Sequence, residues 1–454
     1  MAIQTQNPAT GEVLKTFEPH TDAEVDLFIA KSVVAHNQLR KWSFEKRAVA
    51  MRKAAQIMRD EADVLGKIMT LEMGKTLISA IAEVKKCAAG ADYYAETAKQ
   101  HLADEIVQTD AQKSYRKFLP LGPVLAVMPW NYPIWQVIRF AAPALMAGNT
   151  ALLKHASNVP QCALFIEDIL SRAGFPDGAF QTLLIGGAKV ERILRDPRVK
   201  AATVTGSESA GASVAAICGE EIKPTVLELG GSDAFIIMPS ADLNKAAEIG
   251  TIARTQNNGQ SCIAAKRFII HAAIYDEMKK KLVQQFEALT IGDPMKCDTD
   301  IGPLVNQEAV NAVADQVEAA LNDGAVRVCG AEAVDGEGYY YRPGILENIP
   351  KTSRAYSEEI FAPVALLFKV KSLDEALEIA NSSPFGLGSA VFTQDKDERA
   401  QAINELEAGA TFINAMTISN VHLPFGGIKR SGYGRELAAE GIKAFCNTKT
   451  VYIA

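Results

Sequence analysis

Two rhythms of apolar residues divide the chain. Between residues 22 and 100 the apolar positions recur at helical spacing. In the stretch from Lys46 to Thr70, Val49, Ile57, Met58, Val64, Leu65, Ile68 and Met69 fall roughly on one face of a 3.6-residue period, with no proline among them. Long amphipathic helices are predicted there. From about residue 121 short apolar runs (Val124 to Met128, Thr150 to Leu153, Phe180 to Ile185, Ala201 to Thr205, Val226 to Leu229) alternate with helical patterns such as Gln161 to Arg172 and Lys189 to Arg195. Strand, helix, strand in repetition predicts a parallel sheet covered on both faces.

A second alternating region runs from Ala234 to about Ala415. Its apolar runs are Phe235 to Met238, Arg267 to His271, Val364 to Val370 and Thr411 to Asn414, and its helical stretches include Leu243 to Thr255 and Tyr275 to Leu289. The predicted fold class is α/β, with the body divided near 229 at Gly230-Gly231. The last residues, Lys449 to Ala454, read as a terminal strand with Val451 and Ile453 on one face. Such a strand needs a sheet edge to pair with, and an oligomer offers one.

Length narrows the architecture: 454 residues at about 150 per domain suggest roughly three units, or two with a large insertion. Lys and Arg number 47 against 54 Asp and Glu, a net charge of −7, the wrong sign for general attraction to phosphate backbones or anionic lipid. Neither nucleic acid nor a membrane surface is expected as a partner. The seven cysteines (87, 162, 218, 262, 297, 329, 446) form no CxxC pair, so neither a zinc site nor a disulfide framework is drawn. The start has no basic and apolar leader, and no apolar run approaches about 18 residues. With free thiols, the expected compartment is the reducing cytoplasm.

The common nucleotide signatures fail. Gly206-Ser-Glu-Ser-Ala-Gly211 has the glycine spacing of a P-loop, but Ala212 and Ser213 stand where Lys and Ser/Thr should follow. Gly206 nevertheless links the run Ala201 to Thr205 to a helix starting near Ser209. It is either a plain β-α turn or a phosphate site at a helix N-terminus. Cys87, Cys162 and Cys218 lie in helical patterns and read as core. Cys262, in Asn257-Asn-Gly-Gln-Ser-Cys262, lies in a turn-rich stretch; to act as a nucleophile it needs an electropositive setting or a nearby base. Glu228 ends a strand before two glycines, either on a solvated face or in a crevice that raises its pKa. Pro129-Trp-Asn-Tyr-Pro133 sets a rigid loop at a strand end, where ligand crevices open in such sheets, unless it is a packed corner.

Taken together and in order, these segments resemble the aldehyde dehydrogenase superfamily. The resemblance rests on Pro129-Trp-Asn-Tyr-Pro133, Gly206-Ser207 with Gly211, Leu227-Glu-Leu-Gly-Gly231, Gly259-Gln-Ser-Cys262, Glu358-Glu-Ile-Phe-Ala-Pro363 and Pro424-Phe-Gly-Gly-Ile-Lys-Arg-Ser-Gly-Tyr-Gly-Arg-Glu436, with the opening Asn7-Pro-Ala-Thr-Gly11. It implies a Rossmann-like cofactor domain (1–101 and 122–228), an α/β catalytic domain (229–436) and a small β oligomerisation arm (102–121 and 437–454) that makes a homodimer or homotetramer. It further implies Cys262 as the nucleophile that forms a thiohemiacetal and then a thioester, Asn131 as oxyanion donor, and Glu228 as the base that hydrolyses the thioester. Trp130, Lys154, Ser157, Gly206, Ser207, Glu359 and Phe361 match cofactor positions. No metal is implied.

Departures from the family pattern refine the expectation. Lys154-His-Ala-Ser157 stands where many NAD-preferring members have Lys-Pro-x-Glu. A carboxylate about 4 Å from a 2′-phosphate costs on the order of 4 kcal/mol per charge pair. Ser157 removes that cost, so NADP is the expected cofactor and NAD the weaker one. Arg139, one helical turn from Trp135, and Ser419, in Ile418-Ser-Asn-Val421, resemble the carboxylate contacts of semialdehyde-oxidising members. The expected substrate is therefore a semialdehyde, succinate semialdehyde first, with uncharged or amino aldehydes as the alternative and a non-catalytic relative as the reading from another class. Gln256 stands where such members often carry a second arginine, and Ala264 where some carry a second cysteine.

Overall fold

In the computed structural model, which describes residues 2–454, four helices fill most of the first hundred residues: Asp22–Leu39, Phe44–Asp60, Ala62–Met73 and Leu77–His101. The period read over Lys46 to Thr70 is two helices broken at Glu61, and its buried face is the expected one in part: Met58, Leu65 and Met69 are buried and Ile57 and Ile68 half-buried. Val49 and Val64 are exposed, while Ala48, Met51, Ala54, Ala55 and Met58 are buried. Alanine carries much of this face, which packs on Leu77–His101. Small side chains let the two axes approach.

A first sheet of six strands runs in the order Gly432–Tyr433, Thr225–Glu228, Ala201–Thr205, Pro123–Met128, Thr150–His155, Phe180–Thr182. All pair in parallel except Gly432–Tyr433, which is antiparallel to Thr225–Glu228. After Pro123–Met128 the chain adds two strands on one side, then Ala201–Thr205 and Thr225–Glu228 on the other. That reversal opens a crevice beyond the carboxyl ends of Pro123–Met128 and Ala201–Thr205.

The second sheet has seven strands: Val326–Cys329, Gly344–Glu347, Val364–Val370, Ala265–His271, Asp233–Ile237, Gly388–Phe392 and Ala410–Ile413, parallel except for the first. Its central strands are buried along almost their whole length because helices cover both faces, so they read as continuous apolar runs. The division drawn near 229 falls in the turn between the sheets. The chain recrosses it when Gly432–Tyr433 joins the first sheet, so by hydrogen bonding that strand leaves the 229–436 segment to which the sequence assigned it.

The terminal strand, Cys446–Ile453, pairs antiparallel with Lys113–Pro120 of the same chain, and Glu105–Ile106 lies on the far side. The partner edge expected from an oligomer is thus supplied internally. Helix Ala438–Lys443, placed in the arm by sequence, packs on Leu77–His101 and Trp135–Ala147 and also touches the arm, where Lys443 pairs with Glu105 and lies over the Phe118 ring. Among the described residues no helix is long and apolar enough to cross a membrane, and all seven cysteines are free.

Candidate active site

The crevice at the switch point of the first sheet gathers residues far apart in sequence. Trp130 and Asn131 follow one strand, Gly206 and Ser207 the next, and both pairs line a cavity of about 240 Å³ together with Cys262, Glu359 and Phe361. Ser207 caps helix Glu208–Glu220 by accepting from the Ala210 N–H, so a helix N-terminus does face this space. The rings of Trp130 and Phe361 meet edge to face at 5.9 Å.

Cys262 reaches the cavity through an unusual turn. Asn257, Asn258 and Gly259 all take left-handed backbone conformations (φ 55°, 57° and 77°), which asparagine and glycine tolerate best. A β-carbon on Gly259 would sit 2.3 Å from the Pro363 nitrogen, so this glycine allows the cysteine turn to touch the Glu358–Pro363 segment. The turn is then tied down: Arg254 donates to the Gly259 carbonyl (2.6 Å) and Asn257 to the carbonyls of Asn131 and Gln260. Asn131 is held from both ends, donating to the Gln260 carbonyl (3.0 Å) and accepting from Gln136 (3.0 Å). Its carboxamide is therefore fixed beside the thiol.

A residue the sequence reading passed over stands behind the cysteine. Lys266 is fully buried, donates to the carbonyls of Ser261 (2.7 Å) and Cys262 (2.6 Å), and lies 2.9 Å from Glu359 Oε1. A lysine inside the buried strand Ala265–His271 was the available signal, since an ammonium there needs partners. Burial pushes the Cys262 thiol up to about 12, against which the cations of Lys266 and Arg139 pull down. The thiol is thus held protonated, and its ionisation needs a base.

Glu228 is 2% exposed, which overturns the solvated-face alternative for it. Burial, reinforced by the neighbouring Glu436 carboxylate, raises its pKa well above the usual range, while Arg139 and Arg435 act in the opposite direction. Neither carboxyl oxygen has a hydrogen-bond partner among the described residues. Gly426 makes room for it: a β-carbon there would lie 2.6 Å from Glu228 Oε1. No hydrogen bond joins Glu228 to Cys262.

Arg139, expected as a substrate contact, is anchored by other residues of the protein. Its guanidinium is buried, ion-paired with Glu436, donates to Thr205 Oγ1 (3.3 Å) and lies over the Phe425 ring. Every residue of helix Trp135–Ala147 is buried; on the face that links Trp135 to Arg139, Trp135 borders a cavity while Arg139 meets Glu436 and Thr205. Ser419 is placed differently: its Oγ accepts from Trp135 Nε1 (3.0 Å) and Lys86 Nζ (2.6 Å). Lys86, Trp135, Tyr132 and Gln256 line a cavity of about 410 Å³. Nothing in the sequence pattern marked Lys86, which reads as one of two adjacent surface lysines.

Lys154 and Ser157 line a further cavity of about 500 Å³, which shares Trp130 with the one at Cys262. No carboxylate lies within ion-pair distance of Lys154 among the described residues, and burial lowers its pKa. An ammonium so placed suits an anionic group, and this donor set fits a phosphorylated ribose. No cluster of three or more His, Cys, Asp or Glu among the described residues is arranged to hold a metal ion.

Comparison with known proteins agrees across the whole chain. Residues 1–451 match the model of the aldehyde dehydrogenase family. The NADP(+) succinate-semialdehyde dehydrogenase 1 of Mycobacterium tuberculosis is 56% identical over 457 positions, covering 100% of both chains. The succinic semialdehyde dehydrogenase of Streptococcus pyogenes, solved in complex with NADP+, superposes with a TM-score of 0.98 at 39% identity, with 100% of both chains covered. Lactaldehyde dehydrogenase of Escherichia coli superposes with a TM-score of 0.97 at 31% identity, covering 100% of this chain and 96% of that one.

Proposed function

The chain belongs to the aldehyde dehydrogenase family, and on that footing we propose that it oxidises succinate semialdehyde to succinate with NADP. The observation that carries the cofactor choice is the pair Lys154 and Ser157, an uncompensated ammonium beside a hydroxyl where a carboxylate would repel a 2′-phosphate. In this reading Lys154 and Ser157 hold the adenosine ribose and its phosphate, Gly206 and Ser207 the pyrophosphate, Glu359 the other ribose, and Trp130 and Phe361 the nicotinamide. NADP, when bound, supplies the hydride acceptor.

The protein's own steps follow from the geometry. Cys262 Sγ gives its proton to Glu228, once that carboxyl has left its pocket and ionised, and Glu228 passes it to solvent; the sulfur adds to the aldehyde carbon, and the developing oxyanion is received by Asn131 Nδ2 and the Cys262 backbone N–H. One such donor is worth about 3 kcal/mol. Loss of hydride from the thiohemiacetal leaves a thioester on Cys262. Glu228, swung out of its pocket by rotation of its side chain, takes a proton from water, which attacks the thioester carbon and releases the acid and the thiol. Burial keeps the resting carboxyl protonated, and leaving the pocket for the hydrated cavity restores its basicity. The three-stranded arm, with the open edge of Cys446–Ile453, is the surface on which copies of the chain assemble as a homodimer or homotetramer. Seven free thiols fit a cytoplasmic enzyme.

Steady-state kinetics with both cofactors tests the reading. Succinate semialdehyde is expected to exceed butanal in kcat/KM by roughly tenfold or more, the worth of one charge-assisted contact, with NADP preferred to NAD. Equal kcat/KM for the two aldehydes overturns the substrate, and a preference for NAD overturns the cofactor.

A further inference from the structure

Helix Trp135–Ala147 is apolar except for Gln136 and Arg139, and Arg139 has Glu436 as its counter-ion. Gln136 has no such reason to be there. It is 2% exposed, borders the 240 Å³ cavity of Cys262, and its Oε1 has no hydrogen-bond partner among the described residues. An apolar side chain of that size would escape the cost of an unanswered buried oxygen. What the Gln136 side chain does make is one contact: Nε2 donates to Asn131 Oδ1 at 3.0 Å.

The polarity of that contact is dictated from the backbone. The Gln260 carbonyl, in the cysteine turn, can only accept, so Asn131 must turn its NH2 group toward it (3.0 Å). A carboxamide is planar, so Oδ1 then points away from Gln260 and toward Gln136, which must answer with its own NH2 group. The Asn131 NH2 group carries two protons. One is spent on Gln260, which leaves one for an oxyanion. A flipped carboxamide would set oxygen against the Gln260 carbonyl and a lone pair against the developing charge. Gln136 is the one donor to Asn131 Oδ1 among the described residues. The start of its helix is itself fixed, because Glu83 accepts from the N–H groups of Ile134 (3.0 Å) and Trp135 (2.8 Å).

We propose that Gln136 is a positioning residue for the reaction: it holds the Asn131 carboxamide in the one orientation that offers a proton to the oxyanion. The inference rests on the reading of Asn131 as oxyanion donor. Gln136 acts through Asn131 and not on the rest of the substrate, so its effect is common to every aldehyde. A residue that merely filled space beside the cavity, or that gripped one substrate, would not show that dependence.

The test is a double-mutant cycle on the full-length enzyme with Gln136→Met, Asn131→Ala and both together. Each is assayed for kcat/KM with succinate semialdehyde and with butanal at saturating NADP. Each is also assayed for the rate at which iodoacetamide alkylates Cys262, followed on its peptide by mass spectrometry. Iodoacetamide is attacked at a saturated carbon and develops no oxyanion, so it reads the thiol alone. Asn131→Ala is expected to lower kcat/KM by roughly a hundredfold or more and Gln136→Met by about tenfold, equally for both aldehydes. In the double variant Gln136→Met is expected to add nothing, and in Gln136→Met alone alkylation is expected to keep its unmodified rate. Losses that multiply, a loss confined to one aldehyde, slowed alkylation or no loss in Gln136→Met each overturn the proposal while leaving the reading of Asn131 intact. No loss in Asn131→Ala overturns that reading instead, and this inference with it. Should Gln136→Met fail to fold, Gln136→Ala, which widens a cavity that Gln136 already borders, takes its place in the same cycle.

Discussion

At position 157 a serine, and not a carboxylate, lines the cavity with Lys154, and in the proposed reading this side chain decides whether a 2′-phosphate is tolerated. Ser157→Glu restores a carboxylate there. At about 4 Å from a 2′-phosphate it costs on the order of 4 kcal/mol, so the NADP to NAD ratio of kcat/KM is expected to drop by two orders of magnitude or more, measured with both cofactors at saturating aldehyde. An unchanged ratio would mean that the 2′-phosphate lies elsewhere. Arg139 shows the limit of reading single residues. Its spacing from Trp135 is helical as expected, yet the helix is buried on all sides, so spacing alone could not say which side held a ligand. In the structure Arg139 meets Glu436 and Thr205, both distant in sequence.

Among the elements, two helix N-termini near the site are closed by carboxylates from other segments. Glu72 accepts from the N–H groups of Gln161 and Cys162 (2.9 Å each), at the start of Pro160–Ala173. Glu83 does the same at the start of Trp135–Ala147, with Lys75 as its counter-ion. Each acid satisfies N–H groups that have no partner within the helix and meets the positive end of its dipole. Glu83 also fixes the end of the Pro129–Pro133 loop that carries Asn131. Glu83→Ala strands the Lys75 ammonium in the core, where breaking one partner of a buried pair costs about 3 to 5 kcal/mol. The apparent Tm is expected to fall by several degrees. Lys75→Met combined with Glu83→Gln removes both charges and is expected to recover much of that loss; a double variant as unstable as Glu83→Ala would contradict the account.

At the scale of the molecule, the arm has an unfinished look. Cys446–Ile453 is paired on one edge only, and Ile106, Val107, Tyr452 and Ile453 are exposed on or beside the same sheet. An open edge bearing apolar residues invites another chain. Ile453→Asp combined with Tyr452→Lys is expected to shift the sedimentation coefficient toward the monomer, and an unchanged value would place the assembly surface elsewhere. The α/β class, the parallel strands of the first sheet, the strands Asp233–Ile237, Ala265–His271, Val364–Val370 and Ala410–Ile413 of the second and the turn at Cys262 were legible in the sequence, because buried parallel strands are short apolar runs and special backbone geometry demands asparagine and glycine; Val326–Cys329, Gly344–Glu347, Gly388–Phe392 and Gly432–Tyr433 were not. The alanine face of Phe44–Asp60 was not, because a small side chain signals burial only when its neighbour is known. What the sequence determined by itself is local: periodicity, turn chemistry and the residue types able to carry a reaction. Only the tertiary structure decided which charges meet. It paired Arg139 with Glu436, set Lys266 behind Cys262 and left Lys86 without a counter-ion, because Coulomb energy depends on distance in space and sequence separation carries no record of it.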